Sequence, residues 1–245
     1  MALTLARDIS DDDRHAAWVQ VADRIFWEQI RQGRRHRIFK LVCAVFHTNP
    51  ELLAEGFDVF SWLVENYVDA SLMLVRRELD KQAGTENLRN LLDDIIEHPE
   101  VLTRSRHTAA WPVAESGRAS EVFDSWKPLK VTGSPERDHI DPQVIRSDLE
   151  GVCAAAEQIR LYAERTRAHR TVVDGIGTPI PFKELHRAIA DICRTVEKYY
   201  ELLTGVSVVQ WEPVPQFDTM AVFMKPWVVD RKAVAAAMKV YSQEK

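Results

Sequence analysis

Glycine and proline are scarce, at 9 and 11 of 245 residues, so turn-forming punctuation is thin and the segments between it are long, which favours helices. Only three cysteines occur, Cys43, Cys153 and Cys193, far apart and in no Cys-x-x-Cys pair. That argues against a disulfide framework and a zinc ribbon, and suits a reducing cytoplasm. Long apolar runs are missing: the longest stretches without Asp, Glu, Lys or Arg, 41–50 and 202–211, have ten residues each, against about 20 for a membrane-spanning helix. Residues 1–7, followed by Asp8 and the acidic run Asp11, Asp12 and Asp13, lack the basic and apolar regions of a signal peptide, so neither a membrane location nor export is expected. No Gly-rich phosphate loop, His-Glu-x-x-His or Gly-x-Ser-x-Gly is present, which removes support for Walker hydrolases, zincins and α/β-hydrolases. The eight histidines contain no pair at i, i+3 or i+4. A His-based metal site would have to be assembled across elements, and no metal or other cofactor is expected.

What is present is ordinary globular material: 46% apolar residues, 28% charged residues and a net charge of -5, so any nucleic-acid contact must be local. Ser10 and the acidic run predict a helix start, with Trp18, Val21, Ile25 and Ile30 on its apolar side. Gly33 is expected to break it, and a second helix over 35–46 ends at Asn49-Pro50, making residues 1–50 a helical hairpin. A long helix over 57–81 carries Phe60, Leu63, Tyr67, Ala70 and Leu74 on one face, with Arg77 next. Thr85-Glu86 predicts the cap of a shorter helix ending near His98-Pro99; its adjacent Asp93 and Asp94 read as a solvated face. Residues 103–141 read as a long, partly helical, irregular insertion.

Pro142 starts a helix predicted to run to His169, with Val152, Ala155, Ile159, Tyr162, Thr166 and His169 on one face. After a Gly/Pro break, Phe182, Leu185, Ile189, Ile192, Val196, Tyr199 and Leu203 repeat at bundle-seam spacing up to Gly205. The tail, 206–227, is expected to lie extended across the bundle before a short helix at 229–245. The fold class is therefore all-α, an antiparallel helical bundle over 51–228 flanked by the hairpin and the short helix.

The chemistry-bearing cluster is 160–170. Arg165 and His169 are four apart and meet on one side of a helix, with Tyr162 a turn back and Arg167 and Arg170 beside them. His169 is suited to move a proton at a phosphodiester and Arg165 to neutralise its oxygens. The same spacing also describes a basic helix C-terminus, favoured by the dipole. Arg77, on an inward stripe, needs a partner; Asp80, three residues on, is the expected one, either as a structural ion pair or as part of a site.

Residues 75–80 (Val-Arg-Arg-Glu-Leu-Asp), 87–92 (Asn-Leu-Arg-Asn-Leu-Leu), His98-Pro99, 162–169, 199–205 (Tyr-Tyr-Glu-Leu-Leu-Thr-Gly) and Pro226-Trp227 resemble, in order, the AbiU-like branch of the HEPN superfamily. The resemblance spans about residues 56 to 228. It implies a homodimeric helical bundle in which an Arg and a His with four to six residues between them cleave RNA without metal, as in many phage-defence and toxin–antitoxin proteins; Arg165 and His169 have three between them. RNA and an antitoxin or defence-system protein are the implied partners. Ala168-His169 fits the family's ending, while the position where relatives place the Arg falls at Ala163, leaving Arg165 or Arg77 as the cation. The alternative is a non-catalytic HEPN module that binds RNA, nucleotide or a protein through the same cleft.

A basic group, Arg31, Arg34, Arg35, His36, Arg37 and Lys40, suits backbone phosphates or a solvated turn. Trp211, Phe217, Phe223 and Trp227 are expected to pack over the bundle rather than stack on bases.

Overall fold

The computed structural model describes residues 9–164, 180–207, 214–226 and 230–235. Its elements are α1 (Asp11–Thr48), α2 (Pro50–Glu55), α3 (Phe57–Glu78), α4 (Leu88–Glu97), α5 (Arg104–Ala109), α6 (Ser116–Ser125), α7 (Pro142–Ala163) and α8 (Phe182–Thr204), with short 3-10 turns between them. Among the described residues there is no sheet, only isolated bridges from His139 to Thr103 and Leu129. None of the described helices is long and apolar enough to cross a membrane.

The expected N-terminal hairpin is a single helix. Ser10 caps α1 by accepting from the Asp13 amide at 3.2 Å, and the helix runs 38 residues through a buried Gly33. A mid-helix glycine costs about 1 kcal/mol. Burial of Trp18, Val21, Ala22 and Ile25 on one side of it and of Val42 and Phe46 on the other outweighs that cost. Trp18, Val21, Ala22 and Ile25 belong to the same core as α3, α4, α7 and α8.

The apolar stripe of α3 also departs from expectation. Its buried positions are Tyr67, Ser71, Leu72, Leu74, Val75 and Glu78, so from Leu74 the stripe steps four residues inward to Glu78 and not three to Arg77. Glu78 lies inside, and Arg77 points out with its side chain 48% exposed. Arg77 donates to Glu78 at 3.1 Å and to Glu28 at 3.4 Å, while Asp80 accepts from the Gln82 amide instead. The Arg77–Asp80 pair does not form. Glu78 accepts from the Leu88 amide at 3.2 Å and so ties α3 to the first turn of α4. The cap of α4 is Asn87, two residues beyond the Thr85 expectation, accepting from the Asn90 amide at 2.8 Å.

Asp94 corrects another expectation: it is buried, not solvated. The insertion is partly helical as expected. It joins the core through Val101, Leu102, Phe123 and Ile140, and buried His107 donates its Nδ1 proton to the Leu202 carbonyl at 2.9 Å. Asp141 and Pro142 open α7. Its buried face is Ile145, Leu149, Val152, Ala156, Ile159 and Ala163, so Ala156 and Ala163 stand in for the expected Ala155 and Tyr162. In α8 the expected seam from Leu185 to Leu203 is buried, and Gly205 closes it at φ +69°. The exposed tail residues Val214, Phe217 and Met224 do not pack as expected, and Phe223 is half-buried. Trp211 and Trp227 lie outside the described residues.

Candidate active site

Arg165, Arg167, His169 and Arg170 lie outside the described residues. The helix before them, α7, ends with Tyr162, half-buried against the core, and Ala163, fully buried. Arg160, one turn back, is held by Glu157 at 3.1 Å and by Glu164 at 3.4 Å. Asp148 of α7 accepts from Lys198 and, at 2.8 Å, from the Tyr199 hydroxyl of α8. With those positions level on antiparallel helices, Ala163 comes level with about position 184, near the start of α8. Arg77 is ten residues from Tyr67 along α3, about 15 Å.

At this start of α8 the fold assembles a group that local spacing could not reveal. Tyr67 of α3 is buried, and its hydroxyl lies 2.8 Å from Nδ1 of His36 on α1 and 2.9 Å from Nε2 of His186 on α8. Phe39, one turn after His36, stacks on Tyr67 with centroids 4.0 Å apart and also meets Phe182. The rings are thus fixed from three helices. A phenol has one proton to give and lone pairs to receive, so it donates to one imidazole nitrogen and accepts from an N–H of the other. His186 is held down to about 4 by burial, then by the charges of His36 and Lys40, and is therefore neutral at neutral pH. Arg34, Arg35 and Lys40 are exposed on the same stretch of α1, with Arg37 half-buried. Of the basic group read from the sequence, His36 is a member of the His–Tyr–His cluster and Lys40, one turn on, shares its face. His36 was visible only as part of that basic run; Tyr67 was visible only as a core position, and His186 carried no local signal.

A polar seam continues inward from the cluster. Gln29, Gln32 and His36 share a face of α1; Gln32 donates to Ser71 at 2.7 Å, and the Cys193 thiol donates to Gln29 at 3.3 Å. Burial pushes that thiol far up, so it is a structural donor and not a nucleophile.

A separate cleft of about 780 Å³ lies between α4 and α7. Lys81, Arg89, Arg146 and Arg160 line it together with Asp93, Glu97, Glu150 and Glu157. Balanced charge gives no net attraction for a polyanion. Arg89 donates to Cys153 at 3.2 Å, and burial raises that thiol as well. Asp94, Glu97 and His98 offer ligand atoms within 4.8 Å of one another. The Asp94 oxygens are already taken by Arg14 and Trp18.

Compared with protein-family models, with curated proteins and with solved structures, the chain has no match.

Proposed function

We propose that the chain is a HEPN-like helical protein that cleaves RNA without metal, at the end of the bundle where α1, α3 and α8 meet. The observation that supports this most is the His36–Tyr67–His186 cluster on the basic 31–40 stretch of α1, with Lys40 beside it. A neutral imidazole takes the proton of a ribose 2′-hydroxyl as that oxygen attacks the adjacent phosphorus. The bond to the 5′-oxygen breaks, a proton is delivered to the leaving oxygen, and a 2′,3′-cyclic phosphate and a 5′-hydroxyl result. The Tyr67 hydroxyl joins the two rings, so a proton gained at one can be returned from the other. Cations on the 31–40 stretch stabilise the charge gathering on the phosphate oxygens. In this reading His169 and Arg165 follow directly from the α7 end that comes level with α8's first turns. Arg77, about 15 Å along α3 and held by Glu78 and Glu28, has no part in it. A homodimer, a cytoplasmic setting and an antitoxin or defence-system partner belong to the same proposal.

The second reading is a non-catalytic HEPN module that binds RNA, nucleotide or protein, and the fully buried Ala163, at the position where relatives carry the Arg, favours it. One assay separates them. A mixed single-stranded RNA is incubated in EDTA with wild type, His36→Gln, His186→Gln and His169→Ala. The nuclease reading expects cyclic-phosphate ends from wild type and a loss of about 100-fold or more in the variant lacking an acting imidazole. No cutting by any of the four ends that reading, and salt-dependent RNA binding by the same proteins then tests the second.

A further inference from the structure

We infer that His36, His186 and Tyr67 form a binding site for a single transition-metal ion of the zinc class, held by His36 Nδ1, His186 Nε2 and the Tyr67 oxygen. Two imidazole nitrogens from different helices are aimed at one phenolic oxygen, at 2.8 and 2.9 Å, and the two ring centroids are 4.4 Å apart in an edge-on arrangement. Two imidazole nitrogens, the commonest zinc donors, therefore converge on one phenolic oxygen that can serve as a third. Around tetrahedral Zn²⁺, with bonds of about 2.0 Å, neighbouring donor atoms stand about 3.3 Å apart. The two N···O separations must each open by about 0.4 to 0.5 Å to admit the ion, and the phenolic proton passes to solvent as the oxygen takes its place on the metal.

Other features agree. Neutral imidazole is the ligating form. The stacking of Phe39 on Tyr67 and its contact with Phe182 fix the ring positions, as a preorganised site requires. Both histidines are only partly buried, so each has some contact with solvent. Two nitrogens and a phenol select against Mg²⁺ and Ca²⁺, which take oxygen donors. Lys40, exposed one turn on from His36, carries a charge that opposes a divalent ion.

Binding does not depend on the ribonuclease reading, but its consequence does. An ion on these lone pairs withdraws them from proton transfer, so Zn²⁺ is expected to inhibit cleavage. Metal binding is measured without RNA, so failure of one inference is distinguishable from failure of the other.

The test uses the full chain, stripped with EDTA and dialysed, and titrated with Co²⁺ as the optical probe. The expected result is one Co²⁺ per chain with visible bands that one equivalent of Zn²⁺ displaces. His36→Gln and His186→Gln are each expected to weaken binding by about tenfold or more. His98→Gln, in the Asp94–Glu97 group, leaves it unchanged. Absence of saturable binding by wild type, or wild-type affinity in both glutamine variants, overturns the proposal. Should the variants fail to fold by circular dichroism, X-ray absorption on the wild-type zinc complex decides it: two imidazole ligands are expected, and fewer than two refute the site.

Discussion

Arg14 on α1 and Asp94 on α4 form an ion pair at 2.9 Å in which both side chains are at least 95% buried. The Trp18 indole N–H donates to the same carboxylate at 2.7 Å, so one Asp94 oxygen is shared by two donors from α1. Taking two charges out of water is costly, and this geometry offsets the cost only while both partners are present.

Asp94→Ala leaves a buried guanidinium unpaired and an indole N–H without its acceptor. It should destabilise the fold by about 3–5 kcal/mol in urea denaturation. Replacing Arg14 and Asp94 together by apolar residues should cost much less than the sum of the single changes, because neither charge is then left alone. A double-mutant cycle with additive losses would contradict that.

Stability should depend on the protonation of His186. Its folded-state pKa is lowered from 6.5 to about 4, so between those values the unfolded chain binds the proton and the folded chain does not. The stabilisation is fully present above about pH 6.5 and is lost as pH falls toward 4. His15 and His107 are also lowered, chiefly by burial, and act in the same direction. The stability of His186→Gln relative to wild type should therefore improve steadily from pH 6.5 to 4. A constant difference across that window in denaturant titrations would show that the imidazole is not kept neutral by the fold.

Gly205 ends α8 at φ +69°, where its amide donates to the Glu201 carbonyl at 2.8 Å. A Cβ there would stand 2.8 Å from the Trp111 ring and 3.0 Å from the Ala110 carbonyl oxygen. Gly205→Ala combines left-handed strain with a clash against the insertion. A loss of about 1–3 kcal/mol in thermal or urea unfolding is expected.

Glu78 separates burial from hydrogen bonding. Desolvation raises its pKa, opposed by Arg77 and by the Leu88 amide. Glu78→Gln keeps an acceptor for that amide without a buried charge and should change stability by less than about 1 kcal/mol, whereas Glu78→Ala leaves the α4 amide unpaired and should cost about 1–3 kcal/mol. Hydrogen exchange at Leu88 should report the difference directly.

Helices were legible in the sequence wherever apolar spacing is long and its ends are marked. The Asn49-Pro50 stop, the Pro142 start, the α8 seam from Leu185 to Leu203 and the Gly205 cap all follow from local backbone chemistry. Two misreadings were also local: Gly33 breaks a helix only when nothing packs on both sides of it, and a three-residue step to Arg77 differs from a four-residue step to Glu78 by one position. Neither choice is settled by one helix alone, because the partner's surface decides which of two adjacent residues is buried.

Sequence by itself determined that this chain is helical and where most of its helices begin and end, because capping, proline stops and apolar periodicity act over a few residues. Only tertiary packing decided that His36, Tyr67 and His186 share one hydrogen-bonded point and that Asp94 is an interior anchor. Those are contacts between side chains distant along the chain, and their positions depend on how whole helices rotate against one another to bury their apolar faces.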